Sequence, residues 1–391
     1  MAGKGASVAL IAAAQVLVMS LWFMSAAILP ELAAEGALPP ARAAALSSAV
    51  QLGFVAGALG LAAWGLADRR DPRRVMAACA WIAAAANLAF ILAPIGGAAQ
   101  VALRALTGAC LAGVYPVGMK IAIGWGARDR GLLIGLVVGA VTLGSAAPHL
   151  LALAGGADWR MAVAAASALA GLGGALALFA GLGPAHARAA TLDPGALRLA
   201  WTERRIRLAY LGYLGHMWEL YAFWAWIGAA SAAAFAGTYG AGPAADMARG
   251  LTFAAIALGG LACAPAGWFA DRIGKARVAR LALIGSAASA LLAAAVFHGP
   301  PWLLALTVIA WGLTVIPDSA QFSALVADAA PPERAGSLLT FQTALGFLLT
   351  FFTVQATPSV AAALGWPATF AIMALGPIAG AEAMRRLIRM G

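Results

Sequence analysis

Charge is what this chain has least of. Only 10% of its 391 residues are Asp, Glu, Lys or Arg, against about 25% in an ordinary soluble domain, and 63% are hydrophobic. So apolar a chain is not disordered, and it has too little polar surface to cover a water-soluble globule. Cysteine is scarce too. Cys79, Cys110 and Cys263 stand far apart in apolar stretches, without C-x-x-C or Cys/His ligand spacing, so neither a disulfide framework nor a zinc site is expected. The histidines are scattered, and no metal or other cofactor is expected. No G-x-x-x-x-G-K-S/T loop occurs, which argues against direct drive by ATP.

What is present is long apolar runs. A helix crossing the hydrocarbon core needs about 20 mostly apolar residues. Twelve stretches meet that requirement, near 7–29, 44–66, 75–96, 99–124, 131–153, 160–182, 207–230, 249–269, 277–297, 302–325, 336–356 and 365–384. Short separators carry turn chemistry, such as Pro39-Pro40, Gly155-Gly156 and Pro331-Pro332. The first stretch lacks a convincing cleavage site and reads as a retained span.

The few charges are distributed by side. With the N-terminus inside, the inner segments hold 20 of the 25 basic residues, and the outer segments hold only Arg42, Arg160 and Arg249. The positive-inside rule then places both termini in the cytoplasm. The same alternation accounts for the formal net charge of +10, so no nucleic-acid partner is expected. The longest non-membrane stretch, 183–206, is too short for a domain and reads as a cytoplasmic linker with a surface helix. It divides the chain into an N-terminal six-helix bundle, 1–182, and a C-terminal one, 207–391.

The two parts repeat each other. Gly65-Leu-Ala-Asp68-Arg69-Arg-Asp-Pro-Arg73-Arg74 follows span two, and Gly267-Trp-Phe-Ala-Asp271-Arg272-Ile-Gly274-Lys275 follows span eight. Tyr115-Pro116 in span four matches Ile316-Pro317 in span ten. Asp129-Arg130-Gly131 before span five matches Glu333-Arg334-Ala-Gly336 before span eleven. A parallel six-plus-six duplication of this kind builds many secondary transporters, with the site near the midplane between the halves.

The segment Gly65–Arg74 resembles the signature loop of the major facilitator superfamily, G-x-x-x-D-R-x-G-R-R, with Asp71 in place of a glycine. The copy containing Asp271, Arg272 and Gly274 is closer to that form. Arg104-x-x-x-Gly108 resembles the family's second motif, whose arginine is associated with proton coupling. Gly139, Gly144, Ala147 and Pro148 partly resemble the motif of its proton-driven exporters. The resemblance implies an all-α membrane protein of twelve helices in two bundles. It also implies that Asp68 and Asp271 gate the inner face, against the starts of spans eleven and five near Gly336 and Gly131, with Arg69, Arg73 and Arg272 adding ion pairs. A carboxylate at a helix N-terminus is favoured by the helix dipole, which fits such a gate.

Ionisable groups inside a membrane helix are costly and mark function by default. His216 and Glu219 are three residues apart and share a helix face. Counting from Arg207, Glu219 lies about 18 Å into span seven, where a carboxyl loses its hydration. The two are proton-coupling candidates, because one charge moved against 100 mV is worth about 2.3 kcal/mol. Arg104 joins them, since a buried guanidinium needs a counter-ion or an anionic ligand, and Glu219 is one candidate partner. Lys120 and Asp318 lie at similar depth in spans four and ten, and a bridge between them would close the inner gate. Pro116 and Pro317 should bend those spans. A central cavity is expected from Gln15, Trp22, Tyr115, Tyr213, Trp311, Gln321, Gln342 and Thr343. The glycine ridges Gly131/Gly135/Gly139 and Gly53/Gly57/Gly60 suggest sliding surfaces between the halves.

These features point to a secondary active transporter in a bacterial inner membrane, moving a small organic solute by alternating access with protons as the coupling ion. The expected partners are that solute, protons and membrane lipid, and the expected state is monomeric. A facilitative uniporter or an efflux antiporter of the same fold fits as well, and a non-transporting receptor is the alternative of another class. An enzyme is not expected, because no paired aspartates, metal cluster or Ser–His pair lies within the spans.

Overall fold

The computed structural model describes residues 3–36, 38–126, 129–156, 158–184, 193–331 and 333–390, with the side chains of Ala67, Asp68 and Arg130 left aside. Every described element is helical. That is the physical consequence of the composition, because in hydrocarbon each backbone N–H and C=O must find its partner within the chain.

Ten described helical stretches are long and apolar enough to cross a membrane. One of them, Ala335–Ile388, turns at Gly365, whose φ of 81° interrupts the helix, so it contains two crossings, spans eleven and twelve. Lys4–Met19, continued by Met24–Ala27, forms span one. The remaining spans are Pro40–Trp64 (two), Pro72–Ala89 (three), Ala98–Leu111 with Tyr115–Ile123 (four), Arg130–Gly155 (five), Trp159–Phe179 (six), Arg204–Tyr239 (seven), Ala241–Ile273 (eight), Lys275–Val296 (nine) and Pro301–Val315 with Ser319–Ala329 (ten). The twelve apolar stretches correspond to these spans.

Several boundaries move outward. Spans seven and eight run well past their apolar stretches and meet at the single turn residue Gly240, with φ 80°. An apolar-length criterion sees only the part in lipid, whereas the helical hydrogen bonds continue into the polar region. Arg249, expected in an outer loop, therefore lies within span eight and is 8% exposed.

Spans four and ten each break one turn before their inner segments, at Ala112–Val114 and Ile316–Asp318. Pro116 and Pro317 lie beside those breaks, as a missing N–H and a ring clash with the preceding turn require. Span one also breaks, between Met19 and Met24.

Glycines set the closest approaches. A Cβ on Gly108 would lie 2.0 Å from the Val50 carbonyl oxygen, and one on Gly312 would lie 2.2 Å from that of Ala255, so spans two and four, and spans eight and ten, meet backbone to backbone. Gly53 and Gly57 pack against Ala105 and Ala109 of span four, within their own half. That corrects the expectation of a sliding surface there. The Gly135 and Gly139 ridge does lie across the halves, against Cys263 and Gly260 of span eight. The main contacts between halves pair span five with span eight and span two with span eleven.

Candidate functional site

A small cavity of about 50 Å³ lies between the halves. The inner segment of span four and span five contribute Tyr115 and Thr142. Spans seven, ten and eleven contribute Tyr213, Tyr221, Trp224, Ser319, Ser323, Thr343 and Phe347. Of the expected cavity residues, Tyr115, Tyr213 and Thr343 therefore line it, and the other five do not. Gln15 donates from Nε2 to the carbonyls of Val114 and Tyr115, at 3.1 and 3.2 Å, and so holds the break in span four. Trp22 packs among Phe54, Tyr221 and Phe347, with ring centroids 5.1 to 5.6 Å away. This aromatic cluster draws on both halves. Trp311 donates to Glu219, while Gln321 and Gln342 are buried outside the lining.

The acidic groups lie behind the cavity wall, in the C-terminal half. Glu219 accepts from Ser286 Oγ at 2.6 Å and from Trp311 Nε1 at 3.0 Å, and it is fully buried. His216 does not pair with Glu219. Its Nδ1 lies 2.9 Å from Asp318 Oδ1, an ion-pair distance whose angles fall outside those of a hydrogen bond. Residues three apart share a helix face, but the break in span ten puts Asp318 closer to the imidazole. The pairing anticipated between Asp318 and Lys120 is thus replaced, in this conformation, by Asp318 with His216. His216 remains tied to the cavity through its chain neighbours Tyr213 and Met217, both in the lining.

Arg104 also departs from expectation. Its guanidinium, 1% exposed, donates to Asn87 Oδ1 at 3.1 Å and to the carbonyls of Leu21 and Trp22 at 2.9 and 2.6 Å. None of these is a carboxylate, so Glu219 is not its counter-ion. The break in span one frees carbonyls from the helix ladder, and those carbonyls take up the cation. Arg104 and the break explain one another.

Contacts close the interface on both sides of the cavity. On the inner side, the two Asp271 carboxylate oxygens lie 3.5 and 3.6 Å from where a Cβ on Gly131 would stand, so the carboxylate faces the start of span five. Its counterpart Asp68 lies outside the described side chains. Arg73 does not bridge the halves. It binds Asp71 at 2.7 and 3.0 Å and the Ala180 carbonyl at 3.1 Å, tying span three to the end of span six. The guanidinium beside Asp71 holds that carboxyl below its ordinary range, and Asp71 caps span three by accepting from the Arg73 N–H. Arg272 stacks on the Trp268 ring at 3.2 Å, and Arg69 is exposed. On the outer side Arg249 pairs with Glu31 of the other half, and Ser48 Oγ donates to Gln355 Oε1 at 2.6 Å.

Sequence reasoning did not find Ser286, Ser319, Ser323 or the Glu31–Arg249 pair. A lone serine in a helix resembles any helix–helix hydrogen bond, and nothing in one sequence joins residue 31 to residue 249.

Residues 11–265 match the sequence model described as Major Facilitator Superfamily. A search of curated proteins gives no match. Among solved structures, a D-xylose–proton symporter shares the fold with a TM-score of 0.77 at 14% identity, over 97% of both chains. The xylose transporter XylE from E. coli, in a partially occluded inward-open conformation, gives 0.75 at 15% identity over 98% of this chain and 97% of that one. The nucleoside transporter NupG gives 0.72 at 14% identity, over 99% of this chain and 100% of that one.

Proposed function

The chain belongs to the Major Facilitator Superfamily, and from that premise we propose that it is a proton-coupled secondary transporter of a small organic solute. The two halves, 1–182 and 207–391, rock about the central cavity, with 183–206 as the linker. The setting is a bacterial inner membrane, with both termini in the cytoplasm as the arginine distribution directs.

The observation that carries this reading is the placement of two buried carboxylates on spans that form the wall of a cavity between the halves, Glu219 next in the chain to the lining residue Leu220 and Asp318 next to Ser319. A carboxylate that receives an O–H and an indole N–H changes those contacts when it takes a proton, because it then becomes a donor itself. Asp318 likewise loses its attraction to His216 when neutral. Protonation thus alters how spans seven, nine and ten hold each other. Spans seven and ten also carry the cavity wall, so proton and solute occupancy act on the same helices. Alternating access follows if protonation and solute binding together favour breaking one closure over the other: Asp271 against span five inside, or Arg249–Glu31 and Ser48–Gln355 outside.

The test is solute accumulation in proteoliposomes under an imposed pH gradient, with internal pH recorded. Glu219→Gln should abolish proton-driven accumulation while solute counterflow persists. If Glu219→Gln and Asp318→Asn both accumulate solute as well as the parent, the coupling assignment is wrong. If a sealed preparation moves no solute of a broad panel, a receptor takes the place of a transporter.

A further inference from the structure

The chemistry of the cavity wall restricts what can occupy it. Fourteen residues line it, and none carries a carboxylate, an ammonium, a guanidinium or an imidazole. The hydroxyls of Tyr115, Tyr213, Tyr221, Ser319, Ser323 and Thr343 make no hydrogen bond among the described residues, whereas Thr142 is satisfied by the Val138 carbonyl. Each free hydroxyl can donate and accept. Together they satisfy a solute's hydroxyl or carbonyl groups in either sense, but they supply no counter-charge. Glu219 is engaged with Ser286 and Trp311, Asp318 with His216, and Arg104 with Asn87 and the carbonyls of Leu21 and Trp22. A charged solute would be stripped of water without compensation, whereas a neutral one would lose little.

The remaining lining is apolar, with Val138, Val141, Met217, Leu220 and Ile316 beside the rings of Trp224 and Phe347. Tyr221 and Phe347 lie 5.0 Å apart between centroids, and Trp224 lies 5.5 Å from Tyr221. Such surfaces favour a flat apolar face on the solute. Two buried amides lie outside the lining, beside residues that form it. Gln342, adjacent in the chain to Thr343, has neither its nitrogen nor its oxygen partnered, and Gln15, bonded to the Tyr115 carbonyl, keeps an unpartnered Oε1. Orphaned buried amides are rare in native structures and call for a partner.

We propose that the central cavity, about 50 Å³ while both closures hold and enlarged when the halves part, takes an uncharged ring compound bearing hydroxyl or carbonyl groups. It follows that a cycle coupled to one proton moves charge only as that proton and is electrogenic. The proposal rests on the reading of this cavity as the transport site.

Ring-matched triplets at pH 7 separate the two ideas: 4-hydroxybenzamide, 4-hydroxybenzoate and 4-hydroxybenzylamine, and the carboxamide, carboxylate and methylamine of cyclohexane. Binding to the full chain in nanodiscs is measured by calorimetry and thermal shift, and uptake into proteoliposomes under a potassium diffusion potential. The neutral member should bind at least about tenfold more tightly than either charged one. Combining Ser319→Ala with Ser323→Ala should weaken it about tenfold without moving the protein's own melting temperature. Uptake should quicken when the interior is negative. A charged member that binds as well as the neutral one, or the absence of neutral binding in both triplets, overturns the proposal. If a neutral ring binds and is not carried, the substrate class stands and the transport reading fails. If a charged ring is carried with protons, the reverse holds.

Discussion

Spans four and ten are built on one plan and filled with different chemistry. Gly108 and Gly312 each press against a backbone carbonyl of the span two earlier, at 2.0 and 2.2 Å from a would-be Cβ, and both spans break shortly afterwards. Four residues before Gly108 stands Arg104, and four before Gly312 stands Val308. Six residues after Gly312 comes Asp318, and six after Gly108 comes Val114. Val308 and Val114 are both fully buried. The N-terminal half therefore buries a cation that pins a broken helix, and the C-terminal half buries the acids. Duplication preserved the backbone geometry, which tolerates no side chain at the glycines. It left the neighbouring buried positions free to diverge, because a charged residue is tolerated at a buried position once it has partners.

That division can be broken in several places. The largest effect is expected at the shared scaffold. Gly108→Val and Gly312→Val should each leave no monodisperse protein after membrane extraction, because a backbone oxygen cannot yield as a flexible side chain can. Tolerance in one half alone would show that the two contacts are not equivalent. Next, Arg104→Gln should lower stability by about 2–4 kcal/mol, from the lost charge-assisted hydrogen bonds, while the folded fraction keeps its proton-to-solute ratio. Glu219→Gln should do the opposite, and a changed ratio in Arg104→Gln with an unchanged melting temperature would move Arg104 into the coupling machinery. Smaller is the outer closure. Arg249→Gln leaves Glu31 without its partner, and labelling of Ser48→Cys by an impermeant thiol reagent from outside should rise several-fold, about 1 kcal/mol of bias.

The smallest effect concerns the inner loop of the N-terminal half. Arg73 depresses the Asp71 carboxyl in the folded protein. Such a group adds stability above its unfolded value, near 3.9, and that contribution is lost as pH falls through the lower folded value. Because the pair is partly exposed, the contribution is under about 1 kcal/mol. Asp71→Asn should lower the melting temperature slightly across the neutral range and meet the parent's at acid pH, so that the acid-side slope disappears. Loop 271–275 has no counterpart of Asp71 and should show no such slope.

Much of the fold was legible because lipid imposes it. A run of about 20 apolar residues has one outcome in a bilayer, and prolines at 116 and 317 mark bends whatever they pack against. The site was legible residue by residue but not pair by pair. His216, Glu219, Asp318 and Arg104 were each visible as costly buried groups, yet each was expected with a partner it does not have. The spacing of His216 and Glu219 put them on one face, but hydrogen bonding depends on what the next helix offers. Ser286 and Trp311 reach Glu219 from spans nine and ten, and the broken end of span ten delivers Asp318 to His216.

The amino-acid order alone specifies a multi-pass helical membrane protein with two similar halves, the groups in it that are too costly to be incidental, and the places where its helices yield. These follow from composition, period and backbone chemistry, all local along the chain. Helix packing chose the partners: carbonyls for Arg104, a hydroxyl and an indole for Glu219, an imidazole for Asp318, and a cavity wall without formal charge. The reason is geometric. A buried charge requires a partner within about 3 Å, and which atoms come that close is set by the packing of helices far apart in sequence.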